Sequence, residues 1–334
     1  MKALKNSINP GDEIIRPFVP AGTHPIETGR YLIGTEEINR LYEVVTQWIE
    51  NRSPGGIIYG RPRLGKSRAI SFLMHILPAD YNNRLSIYDL SSYQSKSPTE
   101  RSFYEDLLSG VGHDLAFKGS TSEKRVRLTR YLIEQGIRLE NRRIVFFMDD
   151  AQRLSELQYN CLMDIYNDLD KAGIQLTVIL VGQPELIHQR SAFIRTKKTQ
   201  IVGRFMSQDH EFTGIQNLED LKYCLTSFDQ ESEYPIGSGW SFTRNYFPEA
   251  FNDGHRLENE VTNLFELLKE CASSAGLRKI DIPMQYLMLT IEYVYKRFGA
   301  NTGNYWPTIE QWRRAIESSG YITAELLHES VIKK

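Results

Sequence analysis

Residues 57–77 read IIYGRPRLGKSRAISFLMHIL, and within them Gly60-Arg-Pro-Arg-Leu-Gly65-Lys66-Ser67 fits the spacing GxxxxGK[ST]. Apolar residues precede the first glycine, and apolar residues at helical spacing follow Ser67. This context predicts a strand over 56–59, a loop bounded by glycines and a helix over 66–77. The backbone N–H groups of such a loop, backed by the N-terminus of a helix, form a cradle for phosphate groups.

The same loop predicts how a nucleotide and its metal ion are held. Lys66 is expected to reach the β- and γ-phosphates of ATP, and Ser67 is expected to ligate Mg²⁺. ATP and Mg²⁺ are therefore the expected cofactors. The predicted nucleotide-binding residues share this one loop and are Gly60, Arg61, Pro62, Arg63, Leu64, Gly65, Lys66, Ser67 and Arg68.

A second apolar run ends in two carboxylates. Ile144 to Met148 are all apolar, which predicts a strand buried on both faces, and Asp149 and Asp150 follow it. A nucleotide-bound Mg²⁺ needs an acidic residue at the end of a neighbouring strand, so Asp149 is the predicted metal ligand and Asp150 is predicted to activate water. Gln183 follows the next strand, either as a water-positioning amide or as a turn side chain bonded to its own backbone.

Strands and helices alternate up to about residue 217, which is typical of a parallel sheet flanked by helices. The strands are predicted at 56–59, 84–91, 143–150 and 176–182, with helices between them. Beyond Leu218 only amphipathic helices are expected. The predicted organisation is an α/β P-loop domain and a smaller all-helical lid, flanked by an arm and a partner-binding tail: 1–30 (arm), 31–217 (P-loop domain), 218–299 (lid) and 300–334 (tail).

Composition limits the classes of partner. The 334 residues carry a formal net charge of -2, so no overall basic field draws the chain to nucleic acid, and any DNA contact must be local. The 3 cysteines are widely spaced and form no CxxC pair, which indicates neither a disulfide framework nor a zinc site. No targeting segment or long apolar stretch is recognisable, so we expect a cytoplasmic protein with no membrane partner.

Four motifs occur in a characteristic order: the phosphate loop, VFFMDDAQ at 145–152, LVGQPEL at 180–186 and IVGRF at 201–205. Followed by a helical lid, they resemble an AAA+ ATPase. Within that superfamily the chain is similar to the TnsC/TniB regulators of DNA transposition, and its short length resembles that of regulators from CRISPR-associated transposons. The resemblance covers roughly residues 30–299.

The resemblance implies two arginines that act on the nucleotide. One completes the site of a neighbouring subunit, and Arg204 stands at the matching position, with Arg190 and Arg195 as alternatives. The other acts within its own subunit from the start of a lid helix; DGHRLENEV at 253–261 resembles that start and offers Arg256. A guanidinium supplied by a neighbour makes hydrolysis depend on assembly.

The resemblance also implies a function. ATP-bound subunits would assemble as a homo-oligomeric ring or filament on double-stranded DNA, link a target-selector protein of the TniQ/TnsD type to transposase subunits, and disassemble on hydrolysis. AAA+ ATPases mostly carry Glu where Asp150 stands, and the shorter acid predicts slow turnover. The alternatives are another AAA+ ATPase, of replication-initiation or ExeA type, and an ATP-binding scaffold that does not hydrolyse.

Cations interspersed with hydroxyl residues lie between the second and third predicted strands and suit phosphate contacts without sequence preference. The predicted DNA-binding residues, in or near loops, are Lys96, Lys118 and Lys124. For the cations from Arg125 to Arg130, the solvated face of a helix is the alternative. Near the C-terminus, Trp306 and Trp312 suit either a partner interface or packing on the lid.

Overall fold

The computed structural model describes residues 16–92, 97–277, 280–299, 302 and 304–332. The chain divides into two compact units. The sheet unit comprises Glu36–Gln216 and Asp281–Gln285, and the helical unit comprises the N-terminal segment up to Thr35, Asn217–Ile280 and Tyr286–Lys334. The described parts of the expected arm, lid and tail group together in one unit, except that Asp281–Gln285 of the expected lid belong to the sheet unit, while residues 31–35 of the expected P-loop domain belong to the helical unit.

A parallel sheet forms the centre of the sheet unit, and its strand order is β2-β3-β4-β1-β5. The predicted alternation of strands and helices is confirmed, with small shifts at the strand ends, but the fifth strand, over residues 209–211, was not predicted. The described strands are β1 (Gly55–Tyr59), β2 (Ser86–Ser91), β3 (Arg143–Asp149), β4 (Gln175–Gly182) and β5 (Asp209–Glu211).

Helices cover both faces of this sheet and make up the helical unit. The described α-helices, in chain order, are α1 (Pro25–Thr28), α2 (Glu36–Glu50), α3 (Lys66–Asp80), α4 (Glu100–Gly110), α5 (Thr121–Arg138), α6 (Glu156–Lys171), α7 (Glu185–Arg195), α8 (Thr199–Phe205), α9 (Leu218–Thr226), α10 (Phe242–Tyr246), α11 (Pro248–Asn252), α12 (Val261–Ser274), α13 (Met284–Phe298), α14 (Ile309–Ser319) and α15 (Tyr321–Ile332). Among the described residues, none of these helices combines the length and apolar character needed to cross a bilayer.

Strand β3 shows why the sheet is covered on both sides. Successive side chains of a strand point to opposite faces. Ile144 and Phe146 accordingly pack into the core formed with α4, α5 and α6, whereas Val145 and Phe147 pack into the core formed with α2 and α3. The apolar residues of this strand are thus buried on both faces, as predicted. Asp149, its last residue, is only partly buried and lies at the carboxyl edge of the sheet.

The helical unit has an aromatic core that includes both termini of the described chain. Ile26, in the N-terminal segment, is fully buried, and the ring of His24 makes edge contacts with Phe242 and Tyr246. Trp312 is also buried, and Trp306 donates a hydrogen bond from Nε1 to Glu260 at 3.0 Å. Packing within the unit, one of the two alternatives for these tryptophans, is therefore what the structure shows.

Candidate functional site

The strand order brings three predicted site segments to one edge of the sheet. In a parallel sheet, all carboxyl ends lie at the same edge, where ligands bind in open α/β folds. Strand β4 pairs with β1 on one side and with β3 on the other. Gln183, which follows β4, is thereby placed between the loop after β1 and Asp149 at the end of β3.

The loop between β1 and α3 depends on glycine at both ends. A Cβ at Gly60 would lie 2.4 Å from the backbone oxygen of Phe212, so only glycine fits there. Gly65 has a φ of 107°, in the left-handed region that side chains rarely adopt. Helix α3 begins directly after it, which leaves the first N–H groups of the helix free of intrahelical partners and suited to bind an anion.

The side chain of Lys66 folds back on this loop and contacts its first residues. Its Nζ donates to the backbone oxygens of Gly60 at 2.6 Å and Arg61 at 2.8 Å. Burial lowers the pKa of the Lys66 ammonium to about 8, although the carboxylates of Asp149 and Asp150 act in the opposite direction. The cation therefore sits in the loop at neutral pH, where incoming phosphate oxygens would compete with the two carbonyls.

Ser67 and Asp149 form the oxygen pair expected for a metal ligand set. The Oγ of Ser67 donates to Oδ2 of Asp149 at 3.1 Å. Hydroxyl and carboxylate oxygens suit Mg²⁺, which takes few protein ligands and keeps its remaining positions for water and phosphate. Among the described residues, no cluster of three or more His, Cys, Asp or Glu side chains suits a metal ion.

Asp150 is engaged through both of its carboxylate oxygens. Its Oδ1 accepts from Nε2 of Gln152 at 3.1 Å, and its Oδ2 lies 3.1 Å from the Nη2 atom of Arg153. The residue has a φ of 54°, uncommon outside glycine. The side chains of Arg153 and Asp150 are 42% and 41% exposed, so this ion pair is open to solvent and its contacts can be exchanged for water.

Gln152 was missed as a site residue, although it lies within the motif that carries Asp150. Its Oε1 accepts the backbone N–H of Gln183 at 3.3 Å, so one side chain joins the ends of β3 and β4. The side-chain amide of Gln183 makes no hydrogen bond to a described residue, and a water-positioning role for this side chain stays a prediction. An amide two residues after the acid was the only sequence signal for Gln152.

The remaining loop side chains fall into two groups. Leu64 is buried in the core, so only its backbone can meet a nucleotide, and the Arg61 guanidinium is paired with Asp281 at 2.9 Å. Pro62, Arg63 and Arg68 are exposed.

The arginine candidates differ in how they are held. Arg204 lies over the ring of Tyr166 at 5.1 Å from its centroid, and Arg190 pairs with Asp209 at 2.7 Å. Arg195 is exposed and has no ion-pair or hydrogen-bond partner among the described side chains. Arg256, in the helical unit, lies over the ring of Phe251 and donates to its backbone oxygen at 2.7 Å.

The structure corrects one of the predicted DNA contacts. Lys124 is fully buried, and its Nζ is 2.6 Å from the backbone oxygen of Gly119 and 3.3 Å from a carboxylate oxygen of Glu105. Its ammonium closes the loop before α5 and cannot reach DNA; the assignment from a loop position failed because burial is not visible in a charge pattern. Lys118 is exposed, and Lys96 lies outside the described residues.

Two neighbouring cations of α5 also make contacts within the chain. Arg125 pairs with Asp164 at 3.0 Å and Asp168 at 3.1 Å, and Arg127 donates to the backbone oxygens of Leu115 and Lys118. These two side chains thus hold α5 to α6 and to the preceding loop. For Arg125 and Arg127, this favours a place on the face of a helix over a contact with DNA.

Comparisons with known proteins agree with the fold. Residues 50–189 match the family model described as an AAA domain. No curated protein sequence matches the chain. The ORC2 protein of Aeropyrum pernix, in its ADPNP-ADP complexes, is similar with a TM-score of 0.52 and 12% identity over 89% of this chain and 71% of that chain. A Walker-type ATPase of Pyrococcus abyssi is similar with a TM-score of 0.52 and 15% identity over 89% of this chain and 74% of that chain.

The class of fold follows from these findings. The chain contains an AAA+ P-loop domain, built on a parallel sheet flanked by helices, with a helical C-terminal region. At identities of 12% and 15%, the two solved structures bear on the fold alone.

The lowered pKa of Lys66 gives a pH dependence. The ammonium form binds phosphate, and in the nucleotide-free protein it is fully present below its pKa of about 8 and lost as the pH rises through that value. ATP affinity should therefore be about tenfold weaker at pH 9 than at pH 7. Fluorescence titration of a labelled ATP across this range measures it. A Lys66→Arg variant, which cannot deprotonate, should give a flat profile; an equal decline there would assign the effect to another group.

Proposed function

We propose that this protein is an ATP-dependent switch, with slow hydrolysis, that assembles on duplex DNA. The observation that carries the proposal is the convergence of Lys66, Ser67, Asp149 and Asp150 at one edge of the sheet, where the hydroxyl of Ser67 already meets the carboxylate of Asp149. No simple structural role explains a half-buried lysine ammonium, a hydroxyl and two carboxylates around a glycine-bounded loop.

The contacts at the site suggest a separate role for each residue in ATP binding and hydrolysis. Lys66 would exchange its two loop carbonyls for phosphate oxygens, and Ser67 and Asp149 would hold Mg²⁺, which neutralises phosphate charge when bound. Asp150 would accept a proton from the attacking water, and the free amide of Gln183 would orient that water. Because both oxygens of Asp150 are engaged by Gln152 and Arg153, hydrolysis would be slow until those contacts open.

The biological role that we propose is regulation of DNA transposition, as in the TnsC/TniB group. It rests on the order of the sequence motifs and on the exposed Lys118, with Arg204 acting on a neighbouring subunit's nucleotide and Arg195 as its rival. Transposase subunits and a TniQ/TnsD-like selector are the corresponding partners. Coupling hydrolysis to assembly would let the ATP-bound oligomer mark a target site and then release it.

Electron microscopy of the full chain with duplex DNA tests this proposal. Rings or filaments threaded by DNA should form with Mg²⁺ and a non-hydrolysable ATP analogue, and not with ADP or without nucleotide. Monomers under all three conditions, despite bound ATP, would contradict assembly as the working state.

A non-hydrolysing ATP-binding scaffold is the second candidate. The ion pair between Asp150 and Arg153 favours it, because a carboxylate committed to an arginine is poorly placed to act as a base. Steady-state phosphate release in the presence of DNA separates the two: a scaffold would form the same oligomer and release no phosphate above background.

Lys118 and Lys124 provide a matched pair for the DNA contact. Lys118→Ala should weaken duplex binding and lower the slope of log K against log salt by about 1, because one phosphate contact is lost. Lys124→Met should leave that slope unchanged but cost about 1–3 kcal/mol of stability, because the oxygens around its buried ammonium lose their donor. Binding titrations at several salt concentrations, with thermal melts, measure both. A smaller slope for Lys124→Met with an unchanged melt would contradict the assignment.

A further inference from the structure

The short segment Asp281–Gln285 belongs to the sheet unit, although the chain on both sides of it belongs to the helical unit. It includes the first residues of α13, which begins at Met284. The contacts that hold this segment converge on the phosphate loop.

Asp281 is the centre of these contacts. Its Oδ2 accepts from Nη2 of Arg61 at 2.9 Å and from Nε at 3.2 Å, and its Oδ1 accepts the backbone N–H of Gly214 at 2.7 Å. The side chains of Arg61 and Asp281 are only 20% and 13% exposed. A carboxylate that takes two nitrogens of one guanidinium is more directional, and less screened, than an exposed ion pair.

Backbone contacts continue along the segment. Ile282 and Ile215 exchange two hydrogen bonds of 3.0 Å, and the N–H of Gln285 donates to the backbone oxygen of Arg63 at 3.2 Å. The segment thus meets the phosphate loop at two places, through the side chain of Arg61 and through the backbone of Arg63.

Arg61 also touches the lysine of the site. Its backbone oxygen accepts from Nζ of Lys66 at 2.8 Å, while its guanidinium is held by Asp281. If phosphate took the ammonium of Lys66, this oxygen would lose its donor and the backbone around Arg61 would readjust. Because the guanidinium of Arg61 is held by Asp281, such a readjustment would act on Asp281 and the residues after it.

We propose that Asp281 is a positioning residue of the nucleotide site, which holds the phosphate loop through Arg61 and transmits nucleotide occupancy to the start of α13. The proposal rests on the proposed function, in that the loop must bind ATP. It adds a connection between the loop and the first turn of a helix that continues into the helical unit.

Hydrogen–deuterium exchange on the full chain, with and without saturating ATP and Mg²⁺, tests the connection. In the wild-type protein, the peptide covering residues 281–298 should exchange about fivefold or more slowly when ATP is bound. Asp281→Asn should still bind ATP at saturation but show less than about a twofold change in this peptide. Asp281→Glu, which keeps the carboxylate, should restore part of the response.

Asp164→Asn is the matched control, because it removes a carboxylate from another arginine pair, at 3.0 Å from Arg125, outside the nucleotide site. It should behave as the wild type. If Asp281→Asn does not fold by circular dichroism, Arg61→Lys tests the same contact with the positive charge kept.

The outcomes separate the two proposals. If the wild-type protein does not bind ATP, the proposed function fails. If it binds ATP and the peptide does not respond, or responds equally in Asp281→Asn, the positioning role of Asp281 is overturned while ATP binding stands.

Discussion

Lys66→Ala should lower ATP affinity by at least about thirtyfold and abolish nucleotide-dependent assembly. Removing one partner of a buried, hydrogen-bonded charge pair costs about 2–5 kcal/mol, and 1.4 kcal/mol corresponds to a tenfold change in affinity. The ammonium of Lys66 lies within the loop itself, 2.6 Å from the backbone oxygen of Gly60, whereas the guanidinium of Arg61 is paired with Asp281. A protein that works as an ATP-loaded oligomer should therefore remain dissociated in this variant.

Calorimetric titration with ATP and Mg²⁺ gives the affinity, and electron microscopy with duplex DNA gives the assembly state. Lys171→Ala is a suitable control, since that lysine lies at the end of α6 and is 78% exposed. Its ion pair is weak, because its Nζ is as far as 3.8 Å from the carboxylate of Asp168. Assembly of Lys66→Ala to the same oligomer as the wild type, with ATP affinity reduced, would show that assembly does not depend on the nucleotide.

The centre of the fold was predictable because short-range patterns determine it. Two glycines five residues apart, followed by Lys66 and Ser67, are compatible with few structures other than a phosphate loop between a strand and a helix. The apolar run before Asp149 is short and rich in β-branched and aromatic residues, which favours a strand that is buried on both faces. These local patterns placed the first four strands correctly along the chain, whereas the short strand β5 carries no such pattern and was not predicted.

The features that sequence reasoning missed depend on contacts between distant residues. Lys124 sits in a basic, hydroxyl-rich stretch that is typical of a solvated surface, yet the turn before α5 folds carbonyls around its ammonium. Asp281 is 220 residues from Arg61 in sequence, and no motif connects them. Burial and pairing of this kind arise only when the sheet and its loops have assembled.

Asp150 illustrates a third limit. Its position after β3 was evident from the sequence, but its state was not, because the ion pair with Arg153 depends on a left-handed turn at Asp150 and a short 3₁₀ segment over Ala151–Arg153. The position of Asp150 predicts a catalytic base, whereas its contacts with Gln152 and Arg153 hold its carboxylate in place. The proposed slow hydrolysis has two separable causes, the short reach of an aspartate and its pairing with arginine.

Asp150→Asn should reduce ATP turnover by about 100-fold or more while ATP affinity stays within about twofold of wild type, because a general base acts on the transition state and not on the bound substrate. The amide keeps the size of the carboxylate and can still accept from Gln152, so the turn after β3 should persist. Single-turnover phosphate release, combined with an ATP titration, measures the two quantities separately.

Two further variants distinguish the causes of slow turnover. Asp150→Glu extends the carboxylate by one carbon and should raise turnover if reach is limiting, whereas Arg153→Ala frees the existing carboxylate and should raise it if the ion pair is limiting. Equal turnover in Asp150→Asn and the wild type, both above background, would remove Asp150 from the reaction. The wild type, Asp150→Asn, Asp150→Glu and Arg153→Ala could instead all show turnover at background while still binding ATP and forming the oligomer. That result would favour the ATP-binding scaffold, in which Asp150 takes no part in catalysis.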